Sequence, residues 1–216
     1  MLRRLFFTDL YLLPIPEVDL AIAISAASVK ADDNFEKAKE VIKSIIDTYA
    51  MNKLRYGVIV FGSKASIKVS FGDDFPTDEN LKNVITILSG SNERPDLDEV
   101  LKKGKELFDD APERPNAWKI LVLITDAKST SKLVDVKATA KMLQDDGIKV
   151  IPVAIGDEVD RVELEETTSD KTNVVNVTTD VYVIVLKEKI MSKVFKGKCR
   201  ELTINKTDGW PSKRDA

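Results

Sequence analysis

Residues Lys119 to Ser129, KILVLITDAKS, constrain this chain more than any other stretch. Ile120 through Ile124 are five large apolar residues in a row, and Thr125 and Asp126 follow them directly. An apolar run without a polar break fits a strand covered on both faces, and such strands belong inside parallel sheets. In open α/β sheets ligands meet the protein at the carboxyl ends of the strands, so Asp126 marks the edge where function is expected.

The flanking segments supply the rest of such a sheet. Val18 to Ile24 is a first strand, apolar almost throughout, that ends at Ser25-Ala26-Ala27-Ser28. Asp32, Asp33 and Asn34 then offer N-caps for a helix in which Ala38, Val41, Ile42, Ile45, Ile46 and Tyr49 recur at helical spacing. Arg55 to Phe61 is a second strand. After Gly62-Ser63-Lys64, the stretch Ala65 to Phe71 alternates Ile67, Val69 and Phe71 with polar residues. That link is too short for a crossover, so Ala65 to Phe71 is expected to be an antiparallel partner at a sheet edge.

Thr77 opens a helix with Leu81, Val84, Ile85 and Leu88. Asp96 and Glu99 have the spacing of a capping box for the next helix. Beyond the central strand come a helix near Lys132 to Gln144, a strand Ile148 to Ile155, a short acidic helix near Arg161 to Thr168, a strand Val174 to Val177 and a helix Val181 to Lys198. The alternation predicts an α/β domain: a doubly wound, mostly parallel six-stranded sheet with one antiparallel edge strand and helices on both faces. Residues 17–199 form that domain, 1–16 an N-terminal arm or leader remnant, and 200–216 a polar C-terminal tail.

Several functional classes fall away. The chain has no His, which removes Ser-His-Asp and Cys-His catalysis and His-containing metal sites. No Gly-x-Gly-x-x-Gly follows the first strand and no phosphate-binding Gly-x-x-x-x-Gly-Lys loop occurs, so nucleotide cofactors lack their usual cradle and no enzyme is expected. The 33 basic and 36 acidic residues are well mixed, which argues against a nucleic-acid face. No run is apolar and long enough to span a membrane. The acidic cluster Asp157-Glu158-Val159-Asp160 and the run Glu163 to Glu166 read as solvated charge around a surface helix. Trp118 reads as a packing residue.

Arg3 and Arg4 followed by Leu5-Phe6-Phe7 and Leu10 to Leu13 have the order of a secretory signal, but Asp9 interrupts it and no small-x-small site follows. Cys199 is the one cysteine and has no internal partner. It is either an idle thiol or half of a bridge to another segment or chain. Its charged surroundings and the terminator Gly197 predict that it lies within reach of solvent after the last helix.

Taken together, Val18 to Ile24, Tyr56 to Gly62, Leu121 to Ala127 and Gly147 to Gly156 resemble a von Willebrand factor type A domain, over roughly residues 17 to 199. The resemblance implies a top face, at the carboxyl edge of the sheet, that binds macromolecules and is not catalytic. It also implies a metal-ion-dependent adhesion site made of Asp-x-Ser-x-Ser after the first strand, a Thr before the third helix and an Asp after the central strand. Here the first motif reads Ser25-Ala26-Ala27-Ser28-Val29, so Ser25 stands at the Asp position and Ala27 and Val29 at the Ser positions. Ser91 matches the Thr and Asp126 the last Asp. Mg²⁺ needs about six oxygens in near-octahedral geometry and favours carboxylates, so this remnant implies no cofactor. Ser25, Ser28, Ser91 and Asp126 are then ligand-binding residues of a vestigial site.

Two functions from different classes fit the resemblance. One is a secreted or extracellular-matrix adhesion module that binds a protein partner, such as collagen, another matrix protein or a second copy of itself, through the top loops without metal. Cys199, where extracellular members often place a bridging cysteine, and the glycosylation sequons at Asn176 and Asn205 favour it. The other is a cytoplasmic scaffold of the same fold inside a larger assembly.

Overall fold

The computed structural model describes residues 17–25, 31–49, 54–75, 77–89, 93–177 and 183–195. In chain order the elements are β1 (Val18–Ser25), α1 (Ala31–Thr48), β2 (Leu54–Phe61), β3 (Ala65–Val69), α2 (Asp78–Thr86) and α3 (Leu97–Asp109). They continue with β4 (Trp118–Thr125), α4 (Leu133–Asp145), β5 (Ile148–Ile155), α5 (Arg161–Glu165), a 3-10 turn (Lys171–Asn173), β6 (Val175–Val177) and α6 (Val183–Val194).

One six-stranded sheet results, in the order β3-β2-β1-β4-β5-β6. Every neighbouring pair is parallel except β2 and β3. The three-residue link Gly62 to Lys64 forces that exception, because a parallel return needs a helix-length crossover. β3 is shorter than the alternation suggested. Ser70 N–H donates to the Asp73 carboxylate at 2.8 Å and Asp73 N–H to Ser70 O at 3.1 Å, which places Phe71 and Gly72 in a turn after the strand. Phe71 is nonetheless buried, with its ring 5.0 Å from that of Phe108.

Strand alternation sorts side chains into two cores, one on each face of the sheet. Leu20, Ile22 and Ile24 of β1, with Ile120, Val122 and Ile124 of β4, pack on one face with the apolar stripes of α1 and α6. Trp118 is partly buried against this core, a packing role. On the other face β1 contributes only Ala21 and Ala23, alongside Leu121 and Leu123 of β4, and α3 and α4 cover them. Small residues there let α3 approach closely. A Cβ on Gly104 of α3 would come within 2.8 Å of Leu121 Cδ2, and one on Gly57 of β2 within 2.6 Å of Leu107 Cδ2.

The helix starts follow local chemistry. Thr77 caps α2 by accepting from Asn80 N–H at 3.2 Å, and Asp96 caps α3 by accepting from Glu99 N–H at 2.9 Å. Asp96 N–H donates to Gly62 O at 2.9 Å, so the β2–β3 hairpin is tied to the start of α3. α1 already runs at Ala31, so Asp32 to Asn34 lie within its first turn and not ahead of it. Periodicity locates a buried helical face better than it locates the first residue.

At the amino edge of the sheet, Asp19 is 2% exposed within a strand that is otherwise apolar up to Ser25. Two guanidiniums answer its charge: Arg55 Nε and Nη2 donate at 2.8 and 2.6 Å, and Arg114 Nη1 donates at 2.9 Å. A forked pair of this kind satisfies a buried carboxylate that could not stand alone.

The strand order reverses between β1 and β4. Chain connections leave those two strands toward opposite sides, and a crevice opens above their carboxyl ends. The register pairs Ile24 with Ile124, which sets Ser25 and Asp126 at that crevice.

Candidate functional site

The crevice is built from the ends of β1 and β4 and the start of α1. Ser25, the last residue of β1, is 6% exposed, and its Oγ has no hydrogen-bond partner among the described residues. Thr125 is buried and its hydroxyl donates to Ala127 O at 3.3 Å, which turns the chain sharply after the strand. Asp126, half-buried on that turn, accepts from Asn34 Nδ2 of α1 at 3.2 Å. Ser28 and Ser91 lie outside the described residues, as do Cys199 and Asn205. Asn176 is exposed on the short edge strand β6.

These donors do not suit a divalent cation. The described part of the site offers one carboxylate and one hydroxyl, and one oxygen of that carboxylate already receives an amide N–H. A hard cation wants several anionic or carbonyl oxygens converging on one point. No group of three or more Asp, Glu, Cys or His side chains converges in that way among the described residues.

Beside the crevice, the loop from Asp126 to Lys132 is bonded to the start of α3. Ser129 Oγ accepts from Leu97 N–H at 3.2 Å and from Ser131 N–H at 3.0 Å. Ser131 Oγ accepts from Asp98 N–H at 3.0 Å and donates to Asp96 Oδ1 at 2.7 Å. Thr130 N–H reaches Pro95 O at 2.8 Å. Two serine hydroxyls therefore satisfy amides at the first turn of α3 that no helical carbonyl can reach. On the far side, the Ser63 hydroxyl and N–H both donate to the Glu93 carboxylate, which holds the β2–β3 hairpin to the same segment.

The acidic residues after β5 are not uniformly solvated, contrary to the expectation for the run Glu163 to Glu166. Glu163 is 7% exposed, in the first turn of α5. Burial pushes the Glu163 carboxyl above its ordinary value, and nearby Asp160 adds to the rise, while Ser129 and Lys128 oppose it. Asp160 caps α5, accepting from Val162 and Glu163 N–H at 3.1 and 3.3 Å, and pairs with Lys128 at 3.3 Å. The Glu163 N–H and the Lys128 ammonium hold Asp160 below the usual carboxylate range against the effect of burial.

Sequence reasoning located Ser25 and Asp126 but missed Asn34 as the partner of Asp126. It also missed the Ser129, Ser131 and Asp96 network. Asn34 and Asp126 are 92 residues apart and no local pattern links them. The spacing of Ser129 and Ser131, two hydroxyls just after a central strand, was the available signal for the network.

A family model, that of the von Willebrand factor type A domain, matches residues 19–183. Among solved structures the chain is similar to proximal thread matrix protein 1 of the mussel byssus, at 21% identity and a TM-score of 0.74 over 83% of this chain and 48% of that one. A second structure of the byssus protein, with a zinc-occupied metal-ion-dependent adhesion site, gives a TM-score of 0.75 at the same identity. A von Willebrand factor type A protein from Catenulispora acidiphila follows at 18% identity and a TM-score of 0.67, over 82% of this chain and 43% of that one. An aerotolerance-related membrane protein from Bacteroides fragilis is 17% identical with a TM-score of 0.65, over 83% of this chain and 99% of that one. The chain thus spans about half the length of the byssus chain.

Proposed function

The chain belongs to the von Willebrand factor type A domain family, and from that premise we propose that it is a non-enzymatic adhesion module of a secreted or extracellular-matrix protein. Domains of this family serve in general as protein-interaction modules. In this reading residues 17–199 are the module, and the loops above β1 and β4 bind a macromolecular partner without a bound cation. Collagen or another matrix protein is the partner class.

The observation that carries the metal-free reading is Ser25 at the head of the crevice, in the position of the family's first aspartate, beside an Asp126 already bonded to Asn34. Recognition then falls to loop shape, backbone groups and the side chains around residues 25–30, 91–95 and 126–131. The byssus protein is a thread matrix protein, and a similar setting suits this chain. The exposed Asn176 of the first sequon supports exposure to a glycosylating compartment.

The test is binding of the purified domain to immobilised fibrillar collagen and to a panel of matrix proteins, with and without chelator. Saturable binding that survives chelator supports the reading. Binding abolished by chelator contradicts the metal-free site, and no binding to any matrix protein contradicts the partner class. Glycosidase treatment of natively expressed protein addresses location: a mobility shift supports secretion, and an unchanged mobility favours the intracellular scaffold.

A further inference from the structure

At the amino edge of the sheet, opposite the crevice, a cavity of about 530 Å³ lies between the start of β4, the α4–β5 turn and the end of α6. Among the described residues its apolar lining is Pro115, Ala117, Trp118, Ile120 and Val194. Ile120 and Val194 are each 1% exposed and belong to the core, whereas Trp118 is only partly buried. The walls are tied together: Lys149 Nζ donates to Lys193 O at 2.6 Å, which joins the start of β5 to the last turn of α6.

The chain enters the domain beside this cavity. Trp118 N–H donates to Glu17 O at 2.9 Å and Arg114 pairs with Glu17 at 3.4 Å, so residues 1–16, which lie outside the described residues, join the fold next to Trp118. The end of that arm, Leu10-Tyr11-Leu12-Leu13-Pro14-Ile15-Pro16, carries no charged side chain. Three extended residues span about 10 Å, so Leu13 and Ile15 are within reach of the Trp118 ring. Pro14 and Pro16 favour an extended path for the residues before them and bring no N–H into an apolar seat. The segment after α6 also leaves close by, but it opens with Lys196-Gly197-Lys198-Cys199-Arg200-Glu201, whose charges are costly to bury.

We propose that the cavity is the seat of the N-terminal arm of the same chain, with Leu13 and Ile15 packed on Trp118 above Ile120 and Val194. Burial of two aliphatic side chains and of the open part of the indole drives the docking. The seat lies at the opposite ends of the strands from the crevice, so the docked arm leaves the top loops clear, whatever they bind.

The test uses the whole chain with Trp210→Phe, which leaves Trp118 as its one tryptophan. Leu13→Asp combined with Ile15→Asp, and separately deletion of residues 1–13, should shift Trp118 emission to longer wavelength and open it to acrylamide quenching. Deletion of residues 200–216 should change neither. Far-UV circular dichroism checks that each variant is folded. In the unaltered chain, nuclear Overhauser contacts from the Trp118 ring to the Leu13 and Ile15 methyls should be present, a readout that needs no variant. Their absence, contacts that join two copies in a mixed isotope-labelled sample, unchanged emission in both arm variants, or an emission change that follows the tail instead of the arm overturns the proposal.

Discussion

The side-chain amide of Asn34 donates to Asp126 Oδ2 at 3.2 Å, joining the first turn of α1 to the end of β4. The contact spans the point where the sheet's connections part, so it closes one side of the crevice with protein. This engages Oδ2 with an N–H donor. With Ser25 in place of a second carboxylate, Asp126 is the one carboxylate that the described residues bring to the crevice.

Arg55→Ala should destabilise the fold strongly. Asp19 is buried and the Arg55 fork supplies two of its hydrogen bonds, while Arg114 Nη1 remains at 2.9 Å. Removing one partner of a buried pair costs roughly 3–5 kcal/mol, and the surviving arginine places the expected loss near the lower end, about 3 kcal/mol. Urea unfolding of the two proteins measures it, and a loss below about 1 kcal/mol, the worth of an exposed pair, would contradict the buried cluster.

Gly104→Ala should cost about 1–3 kcal/mol through overpacking, because the new Cβ would sit 2.8 Å from Leu121 Cδ2 in the core between α3 and the sheet. Helix propensity alone predicts the opposite sign, a gain of about 1 kcal/mol. Gly72→Ala is the control, since its nearest neighbour, Pro112 Cγ, is at an ordinary 3.7 Å. Denaturant midpoints that rank Gly104→Ala below wild type and leave Gly72→Ala close to it confirm the tight approach of α3.

Glu163 should make stability fall as pH rises. Burial raises its carboxyl in the folded protein, so the folded state holds this proton more tightly than the unfolded chain does. The stability linked to that proton is fully present below the unfolded value, about pH 4, and is lost as pH rises through the folded value. Glu163→Gln cannot titrate and should lack this decline. Its unfolding free energy relative to wild type should therefore improve between about pH 4 and pH 7, measured by urea titration at each pH. A constant difference would show that Glu163 titrates alike in both states.

The parts of the fold that were legible in the sequence are those fixed by local rules. The five-residue apolar run Ile120 to Ile124 marked an interior strand, and the three-residue link at Gly62 marked the antiparallel edge. Asp96 and Glu99 marked the start of α3. What escaped depends on contacts between distant segments. Nothing near Glu163 distinguishes it from Glu165 and Glu166, because α5 has only five residues and shows too little periodicity to identify an inward face. The partnership of Asn34 with Asp126 likewise exists only because β1 and β4 are neighbours in the sheet.

The central claim, that the crevice above β1 and β4 works without a cation, is tested most directly by calorimetric titration of Mg²⁺ and Mn²⁺ into the purified domain. The wild type should give no binding heat in the submillimolar range. The triple substitution Ser25→Asp, Ala27→Ser, Val29→Ser, which restores the carboxylate and both hydroxyls, should gain it. Submillimolar affinity in the wild type that disappears in Asp126→Ala would contradict the account.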